Sequence, residues 1–465
     1  MRAHEAGAVH GRAGHRGPAW LVEPPQADVL VPALWPATAH RRPDGVLEIG
    51  GVAVSDIAAA YGTPAYVVDE VDLRTRARAF CDAFAGYDVY YAGKAFLSRA
   101  VARWVVEEGL GLDVCTGGEL AVALSAGVPP ERIGMHGNNK STGELERALR
   151  AGVGRVIIDS VAEIDRLDEL TRRLGVTASV LVRVTAGVEA HTHEYIATAH
   201  EDQKFGFSLA EGDAFAAVRR VLACDGLDLR GLHSHIGSQI FDTSGFEVAA
   251  RRVLGLQAQI ERELGFVAAE LDLGGGFGIA YTTQDDPSEP ETLASALTEI
   301  VEHECRALGI SVPRLAIEPG RAIAGPATCT VYEVGTTKVV PLDGGHVRRY
   351  ISVDGGMSDN IRTALYDADY SCTLASRRSD APAVLSRVVG KHCEAGDLVV
   401  KDEFLPGDVR PGDLVAVPAT GAYCRSMASN YNHVPRPPVI AVRDGMSRVL
   451  IRRETEDDLM RLDVG

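Results

Sequence analysis

The stretch Leu315-Ala316-Ile317-Glu318-Pro319-Gly320-Arg321 decides how the fold is interpreted, because a short apolar strand ends there in a carboxylate, a turn and a cation. Pro-Gly after a strand is ordinary turn chemistry, and Glu near Arg is most often a solvated ion pair. The stretch gains meaning from its place in the chain. It is the last of a series of strand and helix patterns that begins near Asp88.

Short β-rich runs alternate with amphipathic helical patterns throughout that series. The predicted strands are 88–92, 112–114, 133–136, 156–159, 179–184, 229–235, 270–273 and 315–317. The predicted helices include 117–126, 142–151, 161–174, 245–264 and 290–308. Eight strand and helix steps are what a (β/α)8 TIM barrel requires, whereas a doubly wound open sheet usually has fewer strands. The sequence therefore predicts an α/β chain built around such a barrel.

After Arg321 the pattern changes to β-rich segments separated by turn formers, which predicts a C-terminal all-β domain. Its predicted strands are 329–334, 349–353, 397–400, 413–417, 438–443 and 447–452. The predicted domains are a mostly disordered extension over 1–42, early strands over 43–68 that join the β domain, a barrel over 69–325 and the β domain over 326–465.

Composition excludes several classes of protein. The net charge of −17, from 47 basic and 64 acidic residues, argues against nucleic-acid or anionic-membrane partners, which are attracted by basic surfaces. The eight cysteines form no C-x-x-C pair, so neither a zinc site nor a disulfide framework is expected. There is no apolar run long enough for a membrane span and no secretion signal, so a cytoplasmic protein is expected.

Candidate reactive groups follow the predicted strands, where barrel active sites are built. Those weighed as ligand-binding or catalytic are Lys94, His235, Ser238, Gly274, Gly275, Gly276, Glu318, Gly320 and Arg321. Asp113, His136, Asn138, Asn139 and Arg183 occupy comparable positions. Each has an ordinary structural alternative, such as a surface lysine, a glycine turn or a satisfied structural histidine.

The combination indicates one cofactor, pyridoxal 5'-phosphate. Lys94 lies between small and aromatic residues, where burial would lower its pKa and favour covalent attachment of the cofactor. Gly274-Gly275-Gly276 and Ser238 would hold the phosphate, and His235 would stack on the ring. Glu318 would pair with the pyridinium nitrogen and keep the ring a strong electron sink. A Rossmann interpretation fails, because that glycine loop follows the first strand of a βαβ unit.

The chain resembles the fold-type III pyridoxal-phosphate decarboxylases, whose barrel is alanine racemase-like, and within them the diaminopimelate decarboxylase family of the actinobacterial type. The resemblance runs from about Val46 to the C-terminus. It is carried by Tyr91-Ala92-Gly93-Lys94-Ala95-Phe96, His136-Gly137-Asn138-Asn139-Lys140, His233-Ser234-His235-Ile236-Gly237-Ser238-Gln239, Leu273-Gly274-Gly275-Gly276 and Glu318-Pro319-Gly320-Arg321. Further matches are Ser358-Asp359-Asn360-Ile361-Arg362, His392-Cys393-Glu394-Ala395-Gly396-Asp397 and Gly421-Ala422-Tyr423-Cys424.

The resemblance implies a reaction, the decarboxylation of meso-2,6-diaminopimelate to L-lysine and carbon dioxide, the last step of lysine biosynthesis. It implies substrate contacts from Arg321, Arg362, Tyr366, Glu394 and Tyr423, with Tyr423 also touching the cofactor. It further implies a homodimer with shared active sites, in which Cys393 of one subunit is the proton donor in the other.

Three alternatives remain at this stage. The same cofactor chemistry could act on another basic amino acid, such as arginine, ornithine or a carboxylated polyamine. A racemase of the related barrel class is the second, and the match at Cys393 and Glu394 argues against it. A catalytically inactive protein that binds a partner is the third, and the intact Lys94 and Cys393 argue against it.

Overall fold

The computed structural model describes residues 17–187, 204–342 and 347–465. By internal contacts the chain divides into two compact units. One comprises Met1–Leu73, Ile279–Asp286 and Ile323–Gly465, and the other comprises Arg74–Gly278 and Pro287–Ala322. Among the described residues, no helix is both long and apolar enough to cross a membrane.

The first unit begins with a small antiparallel sheet of β1 (His40–Arg41), β2 (Leu47–Ile49) and β3 (Val52–Ala53), followed by α1 (Val54–Tyr61) and β4 (Ala65–Asp69). Of the two early strands, β4 pairs with residues 328–331 and 439–442 of the C-terminal part, whereas β2 pairs with β1 and β3 and is linked to that part by the Leu47 N–H, which donates to the Ala375 carbonyl at 2.9 Å. The chain reverses after β2 through Gly50 and Gly51, whose positive φ values of 59° and 78° suit glycine, so β2 pairs with its sequence neighbours.

The prediction of a disordered extension over 1–42 needs correction for its second half. Leu34 and Trp35 are only 3% and 5% exposed and belong to the same apolar core as Ile49 and Val331. The Thr38 hydroxyl donates to the Asp69 carboxylate over 2.6 Å. Composition suggested disorder because the segment is rich in Pro and Ala, yet a few large apolar side chains suffice to attach it to the core. Residues 1–16 lie outside the described residues.

The second unit is the barrel. Its elements, after α2 (Glu70–Ala83), are β5 (Asp88–Ala92), α3 (Arg99–Glu107), β6 (Gly111–Val114), α4 (Gly117–Ser125), β7 (Ile133–Met135), α5 (Thr142–Ala151), β8 (Arg155–Ile158), α6 (Val161–Leu174), β9 (Ala178–Thr185), β10 (Phe207–Ser208), α7 (Asp213–Leu222), β11 (Leu227–Ser234), α8 (Ser244–Leu264), β12 (Glu270–Asp272), α9 (Pro290–Leu308) and β13 (Arg314–Ile317). Strand β13 pairs with β5 and β8 pairs with β9, all in parallel, so the predicted eight-stranded barrel is closed. The short β10 is an unpredicted addition beside β9.

The barrel helices begin where the sequence offers a capping side chain. Ser98, Thr116, Ser141 and Ser160 stand at the N-caps of α3, α4, α5 and α6, and each accepts a hydrogen bond from a backbone N–H of the first turn. Such a cap stabilises a helix by about 1 kcal/mol. These helix starts fix the loops that connect the strands to the helices. Those loops lie at the end of the barrel that carries the reactive side chains.

The C-terminal part of the first unit is rich in β-structure, as predicted. It begins within α10 (Arg321–Ala324), whose first two residues belong to the second unit. It then contains β14 (Thr328–Pro341), β15 (Val347–Val353), α11 (Arg362–Tyr366), β16 (Thr373–Leu374), β17 (Ala383–Val389), β18 (Leu398–Pro406), β19 (Leu414–Val417), β20 (Val439–Arg443), β21 (Met446–Ile451) and α12 (Glu456–Met460). The strand order is β18-β17-β15-β14-β4-β20-β21, with β19 pairing both β14 and β16. Strands β16 and β17 were not predicted.

Candidate active site

A cavity of about 410 Å³ opens at the carboxyl ends of the barrel strands. Three of the predicted site residues, Lys94, His235 and Glu318, line it. Its wall also includes Asp113, His136, Arg183, Lys204, Phe205 and His233. Barrel enzymes build their active sites at this end, because the loops after the strands can vary without disturbing the core.

Glu318 follows β13 and is 5% exposed. Its Oε1 lies 2.8 Å from Nε2 of His233 and 3.4 Å from Nε2 of His136. Burial alone would raise the pKa of Glu318, but the neighbouring histidines His136, His233 and His235 hold that pKa well below its usual range. Glu318 is therefore a buried carboxylate that stays ionised.

Two further carboxyl groups lie beside it and behave in the opposite way. Burial and the charge of Glu318 raise the pKa of Asp113 and of Asp272 well above the usual value. Asp272 accepts the backbone N–H of Gly274 at 2.8 Å and shares a hydrogen bond with Glu318. Because three adjacent carboxylates cannot all ionise away from water, the negative charge resides on Glu318.

The histidines around Glu318 are neutral donors. Burial lowers the pKa of His136 and of His233 to about 4. Nε2 of His136 also lies 3.2 Å from the Asp113 carboxylate, and the His136 and His233 rings meet edge to face at 5.1 Å. Neutral imidazole can donate from only one nitrogen, so contact with an ionised acceptor assigns the hydrogen to Nε2 of His233.

The triple glycine lies against the ends of the neighbouring strands so closely that side chains would not fit. A Cβ on Gly275 would lie 2.2 Å from the Glu318 carbonyl oxygen, and one on Gly276 would lie 2.4 Å from that of Gly237. Gly274, with φ +73°, is equally confined by Ser234 and His235. The backbone N–H of Gly275 donates to Nδ1 of His235 at 3.1 Å, which orients that ring.

Arg321 and Ser238 meet beside the glycines. Nη2 of Arg321, which is 6% exposed, donates to the Ser238 hydroxyl over 2.8 Å. Gly320 is held close to β5, since a Cβ there would lie 2.9 Å from the Ala92 carbonyl oxygen. A cation, a hydroxyl and closely spaced backbone N–H groups are the donors that bind a phosphate dianion.

Lys94 differs from its prediction in one respect. It lines the cavity, as expected, but its side chain is exposed rather than buried, although Gly93 and Ala95 on either side are buried. The backbone at the end of β5 lies in the core, and the Lys94 side chain extends from it into the cavity. The amine is therefore accessible to an aldehyde in that cavity.

The loop after β7 is fixed by an ion pair that sequence reasoning missed. Nζ of Lys140 lies 2.7 Å from the Glu163 carboxylate and donates to the carbonyls of Gly137 and Ile157 at 2.6 and 2.8 Å. Both side chains are essentially inaccessible to solvent. Lys140 therefore holds the loop that carries His136 and lines the cavity.

Five of the predicted site residues belong to the other unit. Arg362, at the start of α11, is 5% exposed, and its guanidinium lies 4.6 Å from the Tyr281 ring centroid and 5.7 Å from that of Tyr370. Nη1 donates to the Tyr370 hydroxyl at 2.7 Å. Tyr366 ends the same helix and is half-buried. Arg362 is therefore held by cation–π contacts with two rings and by a hydrogen bond to one of them.

Cys393 and Glu394 are exposed on a turn that is itself anchored. The buried ring of His392 lies 2.8 Å from the Ser358 hydroxyl, and the backbone N–H of Cys393 donates to the Asn432 side chain at 3.3 Å. All eight cysteines lie within the described residues, and Cys393 is the only exposed one. Tyr423, the fifth residue, has a left-handed φ of 62°, which is uncommon for a residue other than glycine.

The missed residues include His233, Asp272, Tyr281 and Tyr370. One signal could have found His233: it stands two residues before His235 on a strand, so both side chains leave the strand on the same side. The tyrosines could not have been found, because Tyr281 and Tyr370 are far apart in the chain and meet Arg362 only in the fold.

A closed parallel barrel that presents an accessible lysine, an ionised buried glutamate and a glycine-lined donor cluster defines a fold-type III pyridoxal phosphate enzyme. The profile of the family described as pyridoxal-dependent decarboxylase, pyridoxal binding domain, matches residues 70–325. The chain belongs to this family and, by the relatives that follow, to its diaminopimelate decarboxylases.

Curated relatives match nearly the whole chain. The diaminopimelate decarboxylase of Mycobacterium tuberculosis is 58% identical over 440 residues, covering 94% of this chain and 98% of the relative. That of Mycobacterium leprae is 55% identical over 472 residues, covering both chains completely. Among solved structures, diaminopimelate decarboxylase from M. jannaschii in complex with L-lysine superposes with a TM-score of 0.86 at 29% identity, covering 93% of this chain and 99% of the other.

Proposed function

We propose that the protein decarboxylates meso-2,6-diaminopimelate to L-lysine and carbon dioxide with pyridoxal 5'-phosphate as cofactor. One observation carries the proposal: an ionised, buried Glu318 and an accessible Lys94 share a cavity in a chain that aligns over its whole length with a curated diaminopimelate decarboxylase. This reaction is the last step of lysine biosynthesis.

The residues of the barrel cavity and of the glycine loop beside it fit the cofactor. Lys94 would hold it covalently, and Glu318 would face its ring nitrogen. Gly274, Gly275 and Gly276 would leave room for the phosphate, together with Ser238, Arg321 and the close turn at Gly320. His235, fixed through its Nδ1, would lie against the ring. When bound, the cofactor supplies a sink for the electron pair released by loss of the carboxylate.

The protein's own groups supply selectivity. Diaminopimelate has an amino-acid group at each end, so one end must be held while the other reacts. Arg362 offers a planar guanidinium to the distal carboxylate, and the tyrosines around it fix its orientation. Glu394 would bind the distal ammonium, and Tyr366, Tyr423 and Arg321 complete the substrate contacts.

Cys393 is the proposed proton donor to the α-carbon after decarboxylation. Its exposure on an anchored turn supports a role outside its own subunit. We therefore propose a cytoplasmic homodimer in which Cys393 and Glu394 of each chain complete the site of the other. If Cys393 acted only in its own subunit, dimerisation would not be needed to complete the active site.

A substrate panel tests the reaction. Purified protein loaded with pyridoxal phosphate should release carbon dioxide from meso-diaminopimelate and form lysine, while the Lys94→Ala protein should do neither. Arginine, ornithine and carboxylated polyamines should react poorly, because substrates without the distal carboxylate leave Arg362 unpaired. Faster turnover of one of these would replace the proposed substrate. Recovery of an inverted isomer without carbon dioxide would indicate a racemase.

A complementation experiment tests the shared site. Lys94→Ala and Cys393→Ala chains, each inactive alone, should regain activity when mixed, since one of the two sites in a hybrid dimer then contains both wild-type residues. Subunit exchange is verified independently with differently tagged chains. Hybrid dimers that form but remain inactive would exclude the shared arrangement.

A further inference from the structure

The contact between His233 and Glu318 has a functional consequence beyond the assignments above. His233 is 1% exposed, and its Nε2 lies 2.8 Å from Oε1 of Glu318. We propose that His233 is a positioning residue that donates its Nε2 hydrogen to Glu318 and thereby holds that carboxylate ionised and oriented for the ring nitrogen of the cofactor. The inference rests on the proposed function only in taking this cavity as the cofactor site.

The surroundings of the ring support this assignment. Among the residues that the structure describes, none makes a hydrogen bond to the buried Nδ1 of His233. With Nδ1 without a partner and Nε2 against a carboxylate, the neutral ring with its hydrogen on Nε2 is the arrangement that leaves fewest groups unsatisfied. His136 makes a longer contact of 3.4 Å and divides its Nε2 between Glu318 and Asp113, so His233 is the principal donor.

A metal site is a competing explanation, because the ligand atoms of His136, His233 and Glu318 all lie within 4.8 Å of one another. The distances disfavour it. Two ligands of a tetrahedral zinc ion lie about 3.3 Å apart, given metal bonds of about 2.0 to 2.1 Å. The separation of 2.8 Å between His233 and Glu318 is that of a hydrogen bond.

The arrangement explains how the site favours a protonated cofactor ring. If Glu318 were protonated, it could not form an ion pair with a protonated ring nitrogen, so it would not favour the protonated form of the ring. Burial pushes a lone carboxyl group toward that neutral state, as it does for the adjacent Asp113 and Asp272. A short donated hydrogen bond favours the charged form of Glu318 and also restricts its rotation.

The test compares two cofactors on three proteins. Full-length apoprotein is titrated with pyridoxal phosphate and with an analogue whose ring nitrogen is replaced by C–H. The parent should prefer the natural cofactor, since the analogue cannot pair with Glu318. His233→Phe, which keeps an aromatic ring without the N–H, should lower this preference by about tenfold or more. His233→Gln, whose amide can place an N–H near the ε position, should retain most of it.

Control measurements separate positioning from folding. His303→Phe, on an exposed position of α9, should leave the preference unchanged. A His233→Phe protein that binds both compounds more weakly by the same factor would reduce His233 to a structural residue, and an unchanged preference would overturn the proposal. If His233→Phe does not fold, His233→Leu, which also lacks the N–H, replaces it, and an unchanged preference in that variant would overturn the proposal. Because the titrations use no substrate, their failure is distinct from failure of the proposed decarboxylation.

Discussion

Substituting Gly275 by alanine tests whether the glycine loop is shaped by contact with Glu318. The added Cβ would lie 2.2 Å from the Glu318 carbonyl oxygen and 3.0 Å from the adjoining carbon. These are backbone atoms, so rotation of a side chain cannot relieve the clash. The two strand ends must separate by about 1 Å to restore van der Waals contact, and such overpacking costs about 1–3 kcal/mol.

The same displacement should weaken cofactor binding. It moves Glu318 and the N–H that Gly275 donates to His235. A loss of about 1.4 kcal/mol raises a dissociation constant tenfold, so we expect the pyridoxal phosphate dissociation constant of Gly275→Ala to rise by about tenfold or more. Equilibrium titration of the apoprotein measures the constant, and urea unfolding measures the stability.

Gly255→Ala is the matched control. Gly255 lies within α8, and a Cβ there would meet nothing within 4 Å. Alanine in a helix interior is more stable than glycine by about 0.5–1 kcal/mol, so this variant should gain stability and keep its cofactor affinity. If Gly275→Ala matches Gly255→Ala in both measurements, the close approach of the loop to Glu318 does not exist as described.

Three further predictions address other features. Lys140→Met leaves Glu163 buried without its partner, so the free energy of unfolding in urea should fall by about 3–5 kcal/mol. The double variant Lys140→Met with Glu163→Leu should recover part of that stability, and an equally unstable double variant would contradict the pairing. Tyr370→Phe removes the hydroxyl that fixes Arg362, so KM for diaminopimelate should rise more than kcat falls, and an unchanged KM would refute that role. Burial raises the pKa of Glu403 from 4.5 to about 7, so the folded chain keeps a proton that the unfolded chain releases. Stability should therefore fall as pH rises through that window. Melting temperatures across it should vary less for Glu403→Gln, and the same slope would oppose the assignment.

The barrel could be predicted from sequence because its strands are buried on both faces and appear as continuous apolar runs. Strand β17 was missed because Ser386 and Arg387 interrupt its apolar run, and both prove to be buried. The buried guanidinium of Arg387 donates to the Lys401 carbonyl on the paired strand at 2.7 Å, a contact that no local pattern contains.

The candidate site could be predicted only in part, for a similar reason. Lys94 and Glu318 stand at strand ends, where local sequence identifies them. The charge state of Glu318 depends on His136 and His233, which arrive from other strands. Likewise, the exposure of Lys94 depends on the side-chain direction at the end of β5. Residue type and order predict which groups meet, whereas their protonation follows from three-dimensional contacts.

The position of β4 has a consequence for how the polypeptide matures on the ribosome. Residues Ala65–Asp69 pair on one side with Thr328–Val331 and on the other with Val439–Val442. The nascent chain must therefore carry this apolar strand without either partner until Thr328–Val331 has been synthesised, and without its second partner until almost the whole polypeptide has been made. The barrel strands are complete once Ile317 has emerged. Domains fold as units during synthesis, so the barrel precedes the other unit, and a ribosome stalled before Val439 displays an open edge beside β4 that is prone to aggregation.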